Sequence, residues 1–270
     1  MQKSKDVVAG LGEIGAPILH LLSKKSNVVG YDINPDLVDQ TSLKKYTAIP
    51  TNFLHICIPF TKTFESNIRD LFVKFQPKGI VIHSTISPGT TEKLQLTFSI
   101  PIIYSATRGL HRRMLYDLKR YTKFYAISEK APNKQWATKT YTKLMKKSGI
   151  KTKQMSNPIT LELAKIVVDT SYYGWLINYA QLSNMLALKH GVDYDEMWSF
   201  ADEIHKFLGN RPKMFPGFIG GHCVIPNLEL INEKQLFMID EINNLYLRKV
   251  KNAKTIAKKY VKGKQSYDKK

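Results

Sequence analysis

Val7-Val8-Ala9-Gly10-Leu11-Gly12-Glu13-Ile14-Gly15 decides the architecture of this chain. A short apolar run of strand-forming residues enters G-x-G-x-x-G, and an amphipathic helical pattern follows over 14–25. In that order the three glycines have separate physical tasks. The first permits a tight turn, the second lets a phosphate approach the backbone, and the third lets helix and strand pack closely. The helix behind the loop offers free N–H groups and the positive end of its dipole. The next apolar run, 27–31, ends in Asp32, about 20 residues after the first glycine, where a carboxylate reaches a ribose hydroxyl. An acid there repels a 2′-phosphate, and no Arg follows it immediately, so the pattern favours NAD over NADP. Gly10, Leu11, Gly12, Glu13, Ile14, Gly15 and Asp32 are the expected cofactor-binding residues.

Working outward, short runs rich in Val, Ile, Phe and Tyr at 7–9, 27–31, 52–59, 79–85, 100–105 and 123–128 read as strands. Helical patterns at 14–25, 63–75, 90–96 and 132–148 lie among them. Strands alternating with helices imply βαβ units and a parallel sheet. The second half changes character. Asn157-Pro158 supplies a helix cap with proline at the first helical position, and Gly191 supplies the stop. A helix over 157–190 is about 51 Å long at 1.5 Å per residue. Its residues Ile166, Trp175, Leu176, Leu182 and Leu186 are too apolar for an isolated helix in water. A helix over 194–208, a Gly/Pro-rich loop and a helical region over 228–259 complete the pattern, with no internal repeat. The expected fold class is α/β: a Rossmann-type, doubly wound, mostly parallel sheet, then an all-helical domain with one long central helix. The expected domains are a dinucleotide-binding domain at 1–155, a helical domain at 156–260 and a basic tail at 261–270.

Composition agrees with a folded two-domain chain. It has 270 residues, 43% of them hydrophobic, and domains run to about 100–200 residues each. No stretch approaches the ~20 unbroken apolar residues of a membrane span, and the first residues leave no room for a signal peptide. Two cysteines, Cys57 and Cys223, make no disulfide framework, so a reducing, cytoplasmic setting is expected. Residues 248–270 hold ten of the 41 basic residues and one of the 22 acidic ones. Such a tail binds nucleic acid or a membrane surface, or is a solvated lysine-rich helix end. No zinc-finger spacing or aromatic RNA-binding motif accompanies it, which favours the solvated end.

A second motif is Pro216-Gly217-Phe218-Ile219-Gly220-Gly221-His222-Cys223-Val224-Ile225-Pro226. Its glycines place a cysteine beside a histidine, and a thiolate is a strong nucleophile. Cys57, in Ile56-Cys57-Ile58, reads instead as a small buried hydrophobe.

With these motifs the chain resembles the nucleotide-sugar dehydrogenases, a family acting on UDP-glucose, GDP-mannose and UDP-N-acetylmannosamine. Gly220-Gly221-His222-Cys223 looks most like the last of these. Ser84-Thr85-Ile86-Ser87-Pro88-Gly89-Thr90-Thr91-Glu92 resembles the family's S-T-x-x-P-G-T-T-E. Leu163-Ala164-Lys165 lies in a segment resembling its central dimerisation helix, and Glu241-Ile242-Asn243 resembles the E-I-N of its next long helix. The resemblance implies two successive NAD-dependent oxidations that take a primary alcohol through an aldehyde to a carboxylate. Cys223 would attack the aldehyde as nucleophile, forming a thiohemiacetal and then a thioester. Lys165 would stabilise the developing oxyanion, and Thr85 would hold the nicotinamide side. The substrate would be a nucleotide sugar or something smaller, and the long helix would pair two chains into a homodimer.

The chain departs from the family at three positions of the implied site. Thr107 in Ser105-Ala106-Thr107-Arg108 stands where the family has a glutamate used in acid–base chemistry. Asp169 stands where it has Asn, and Asn227 where it has Asp. The family's third domain, which helps bind the substrate nucleotide, has no counterpart here. The two-domain hydroxyacid dehydrogenases offer a fold-level analogy for working without one. The same departures motivate another class of function: a catalytically impaired homologue that serves in binding or assembly. A nucleic-acid role through the basic tail is the third alternative. No metal site is expected.

Overall fold

A computed structural model describes residues 4–208, 216–221, 224–230 and 234–255. The chain divides into two compact units, Met1–Lys165 and Ile166–Lys270.

The first unit is a seven-stranded sheet with β1 Lys5–Ala9, β2 Val28–Tyr31, β3 Thr51–Ile56, β4 Gly79–Ile82, β5 Ile102–Tyr104, β6 Lys123–Ile127 and β7 Thr152–Gln154. The strand order is β2-β1-β3-β4-β5-β6-β7. All neighbours are parallel except β5 and β6. The helices are α1 Gly15–Ser23, α2 Gln40–Lys45, α3 Phe64–Phe75, α4 Thr90–Gln95, α5 Met114–Arg120, α6 Lys134–Lys147 and α7 Pro158–Leu163.

Successive strand residues point to opposite faces, and the two cores show this residue by residue. Val8, Phe53, Val81, Ile103, Tyr125 and Ile127 meet α1, α5 and α6 on one face. Val7, Leu54, Ile80, Ile82, Ile102 and Ala126 meet α3, α4 and α7 on the other. Helices on both faces bury both sides of each strand, which is why the strands read as continuous apolar runs without alternation.

Two charged residues open β1 from buried positions. Lys5 donates to Tyr46 O and Ile49 O, closing the segment after α2. Among the described residues Asp6 accepts only the Phe53 amide, at 2.9 Å, and burial pushes its carboxyl up to about 7.

The expected strands at 52–59 and 79–85 stop earlier, at Ile56 and Ile82, because the chain leaves the sheet there to build loops. Besides α5, two elements with little apolar signal were not expected. One is α2, whose N-terminal amides at Thr41 and Ser42 are capped by Asp39. The other is β7, a three-residue Thr-Lys-Gln edge.

The long helical run begins as expected. The Asn157 side chain accepts the Thr160 amide at 2.9 Å, and Pro158 opens α7. It is not one α-helix, because Ala164–Ser171 is π-helical. Then α8 Tyr172–His190 follows and ends on Gly191 at φ +65°. The second unit continues with α9 Tyr194–Leu208, α10 Ile225–Glu229 and α11 Lys234–Lys249. Among the described residues the expected single helical region over 228–259 is broken into α10, α11 and a further helical stretch that begins at 253, and beyond 255 it lies outside them. Ile219, Val224, Leu228 and Ile239 form the core of this unit, with Trp175 and Ile177 of α8 packed on it. Among the described residues no helix is long and apolar enough to cross a membrane.

Candidate active site

The glycine loop joins β1 to α1, and the three glycines differ in their surroundings. Gly10 is left-handed at φ +89°, and a Cβ there would stand 2.8 Å from the Cys57 carbonyl group. A Cβ at Gly15 would lie 1.7 Å from Gly10 O, so this glycine is what lets α1 sit against the loop. A Cβ at Gly12 would meet nothing within 4 Å. Gly12 therefore faces open space. Ile14 precedes the first helical residue, and no described side chain caps α1. Leu11 donates its amide to Asp32 Oδ2 at 2.6 Å, and Asn34 donates to Oδ1 at 2.9 Å. The carboxylate at the end of β2 thus holds the glycine loop directly. Glu13 meets His111 at 2.6 Å, tying the loop to the segment before α5.

The loop after β4 is ordered by a residue that sequence reading passed over. Glu162, fully buried on α7, accepts the Gly89 amide at 2.6 Å, the Thr91 amide at 3.0 Å and the Thr91 hydroxyl at 2.6 Å. Burial raises its carboxyl, and the three donors oppose that rise. The Pro-Gly-Thr-Thr stretch is therefore a socket for Glu162, with Gly89 at φ +86° turning its amide inward. Lys165 lies three residues beyond Glu162, half-buried, at the start of the π-helical turn. π-Turns within helices are rare and recur at functional sites. Thr85 is half-buried in the same loop, and Ser84 anchors it by donating to Ile58 O at 2.6 Å.

Thr107 is buried just past β5. The antiparallel register pairs Ile103 with Ile127 and Tyr104 with Ala126, and continuing it sets residue 123 opposite residue 107. Lys123 accordingly donates to Thr107 Oγ1 at 3.0 Å, and also to Ser105 O at 2.7 Å and Ala106 O at 3.2 Å. Burial pulls its amine down to about 7. The charges of Lys165 and Arg108 push the same way, and Cys57 opposes.

His83 Nδ1 also lies on Ser105 O, at 3.2 Å, and its Nε2 is 2.9 Å from His55 Nδ1. A carbonyl only accepts, so His83 carries its proton on Nδ1 and receives the Nδ1 proton of His55. His55 Nε2 is then a buried acceptor with no described partner. Burial, aided by Lys123, holds His55 down to about 3 and His83 well below its ordinary value. Cys57 is half-buried, and burial pushes its thiol up to about 12, matching its expected role as an inert hydrophobe.

The cofactor-loop residues, Asp32, Thr85, Thr107 and Lys165 all belong to the first unit. Asp169 and Asn227 belong to the second, half-buried in the π-turn and in α10. Cys223 and its neighbour His222 lie outside the described residues, as do residues 209–215 at the start of the Gly/Pro-rich loop and the tail at 261–270.

The described part of the cysteine loop is held by Asn243 of the Glu-Ile-Asn stretch. Its Oδ1 accepts the Ile219 amide at 2.8 Å, and its Nδ2 donates to Ile219 O at 3.1 Å. Gln181 adds a bond to Gly217 O at 2.7 Å. Among the described residues no group of three or more His, Cys, Asp or Glu is placed to hold a metal ion.

Lys123, His55, His83 and Glu162 are the site-region residues missing from the sequence reading. The usable signal was polarity in the wrong place. His55 interrupts Phe53-Leu54-Ile56, and Lys123 opens a strand of otherwise apolar residues.

No family model matches the sequence, and no curated protein matches it. Solved structures do match in fold. The UDP-D-ManNAc dehydrogenase of Pyrococcus horikoshii aligns with a TM-score of 0.73 at 22% identity, over 90% of this chain and 68% of that one. The UDP-N-acetyl-mannosamine dehydrogenase of Staphylococcus aureus aligns with a TM-score of 0.68 at 20% identity, over the same shares. The 3-hydroxyisobutyrate dehydrogenase of Mycobacterium tuberculosis, solved with L-serine, aligns with a TM-score of 0.60 at 13% identity, over 92% of this chain and 94% of that one. The chain therefore has the Rossmann-type sheet and following helical region of these dehydrogenases.

Proposed function

We propose that this chain is an NAD-dependent oxidoreductase of the nucleotide-sugar dehydrogenase type, which takes a primary alcohol to a carboxylate. One observation supports the reading: the three glycines of the loop differ in what packing asks of them. Gly15 is demanded by packing, whereas Gly12 faces open space and so has no packing reason to be glycine. Asp32 stands at the end of the neighbouring strand, where a ribose would lie. These residues fit NAD, which when bound accepts the hydride. Gly10–Gly15 and Asp32 would hold it, and Thr85 would lie on its nicotinamide side.

In this mechanism Cys223 attacks the aldehyde carbon and forms a thiohemiacetal, which becomes a thioester on oxidation and is released as the acid by water. Lys165 stabilises the oxyanion, since a cation in a water-poor site opposes developing negative charge. By the same resemblance Asp169 and Asn227 take part in this chemistry. The partner is a small molecule, a nucleotide sugar or a smaller alcohol.

A homodimer through the long helix belongs to the same reading. Tyr172, Tyr179, Leu182 and Leu186 of α8 are all exposed, at spacings of seven, three and four that form one seam. A soluble cytoplasmic enzyme is the matching setting, and the 1–155, 156–260 and 261–270 division is its domain plan.

A binding or assembly protein descended from such enzymes is the second reading. It is favoured by Thr107, whose hydroxyl cannot exchange a proton near neutral pH as a carboxylate does.

Calorimetric titration with NAD, with Asp32→Ala as the control, tests the proposal. Saturable binding lost in the variant is expected, followed by NADH formation with an alcohol and by loss of acid product in Cys223→Ala. NAD binding without turnover of sugar nucleotides or smaller alcohols would favour the second reading. No binding at millimolar NAD would refute the first.

A further inference from the structure

Lys123 is a buried amine whose hydrogen-bond partners among the described residues are all neutral: Ser105 O, Ala106 O and Thr107 Oγ1. The ionisable groups around it do not balance its charge. His55 on β3 and His83 after β4 are buried bases, Arg108 and Lys165 are cations, and Cys57 is a protonated thiol. Asp117 of α5 lines the same water-sized cavity as Lys123 and Arg108. Its Oδ2 is taken by the Leu110 amide and Arg113, and its Oδ1 has no described partner, so it is not bonded to Lys123. Burying a cation without an anion is costly, and such arrangements concentrate at functional sites.

Thr107 supplies the second observation. Its oxygen accepts from Lys123, and its hydroxyl donates to none of the described residues. A hydroxyl that accepts from an ammonium is polarised into a stronger donor. The pair stands at the carboxyl end of the sheet, where ligands of open α/β sheets bind.

We propose that Thr107, backed by the Lys123 ammonium, receives an oxyanion of the substrate, so that the site selects an alcohol carrying a carboxylate or a phosphate near its reacting carbon. This rests on the dehydrogenase reading and names its substrate class. A carboxylate at position 107 would repel such a ligand, and the threonine–lysine pair attracts it. The departure at this position is then a change of specificity.

The test follows the Lys123 amine by NMR in the ¹⁵N-lysine-labelled full chain, without NAD. The signal is assigned by its loss in Lys123→Met. Three probes are compared: 3-hydroxyisobutyrate for the carboxylate, glycerol 2-phosphate for the phosphate, and 2-methyl-1,3-propanediol as the neutral counterpart. An oxyanion probe should move the amine titration up by about one pH unit or more, equivalent to at least about tenfold tighter binding to the charged form. The diol should not move it. Thr107→Val should remove the response and Thr107→Ser should retain it. The probe that responds identifies the oxyanion.

Failure of both oxyanions to shift the titration, a shift that survives Thr107→Val, or an equal effect of the diol would overturn the proposal. Because no cofactor is present, such a failure alongside intact NAD binding leaves the dehydrogenase reading standing. A shift without NAD binding does the reverse.

Discussion

Alanine at Gly12 and alanine at Gly15 should fail in opposite ways. A Cβ at Gly12 meets nothing within 4 Å and needs no left-handed φ. The folded state accepts it, and the unfolded chain loses freedom, so Gly12→Ala should be stabilising by about 0.4–1 kcal/mol. A Cβ at Gly15 lies 1.7 Å from Gly10 O and 2.8 Å from Gly10 C. Those are backbone atoms with no rotamer to yield, so loop and helix must separate. Overpacking typically costs ~1–3 kcal/mol, and this contact should reach about 3 kcal/mol or more. Urea unfolding and NAD calorimetry on both variants read the two effects. Gly12→Ala should keep or raise its unfolding midpoint while losing at least about tenfold in NAD affinity, a change of ~1.4 kcal/mol. Gly15→Ala should lose stability and NAD binding together. Wild-type affinity in Gly12→Ala would show that no phosphate passes over this loop. A Gly15→Ala variant within about 1 kcal/mol of wild type would mean that helix and loop do not approach as described.

Asp6 has a folded pKa raised by burial to about 7 from 3.8, so the folded state holds the extra proton between those values. Stability should fall as pH rises through that window, by roughly 4 kcal/mol in all. Asp6→Asn keeps the acceptor for Phe53, should remove this fall and should gain on wild type up to pH 8. Parallel stability curves for the two proteins in urea would contradict it. Asn243→Ala strips both bonds from Ile219, and each orphaned buried group costs about 1–3 kcal/mol. Hydrogen exchange at the Ile219 amide should accelerate at least about tenfold, and unchanged exchange would show that another contact holds the loop. Tyr179→Glu with Leu186→Glu puts charge on the exposed seam of α8. Sedimentation should show a dimer in wild type and a folded monomer in the variant, and a monomeric wild type would remove the seam argument.

The parts of the fold that were legible are those whose cause is local. Val7-Val8-Ala9 before G-x-G-x-x-G states a strand, a turn and a helix in consecutive residues. Asn157-Pro158 and Gly191 announce helix ends through caps, and the side-chain bond to Thr160 is the predicted one. Of the elements that escaped, α2 has a local cause in its Asp39 cap, whereas β7 has one elsewhere in the chain. The three polar residues of β7 form a strand because β6 offers them an edge. The π-turn at Ala164–Ser171 leaves no mark in composition, since its residues fit an α-helix equally well.

The same division runs through the site. The glycine loop and Asp32 are close in sequence and were readable together. Thr107 was readable only as a departure from a resembling pattern, as an absence of charge. What stands in its place is spread over β3, β4 and β6, and the antiparallel step from β5 to β6 is what brings Lys123 across from it. Reading the strands as an all-parallel sheet would send the start of β6 to the opposite end, away from Thr107. The reversal of chain direction at β6 therefore puts a lysine where the resemblance would put an anion, and in our proposal it makes position 107 a donor toward the substrate.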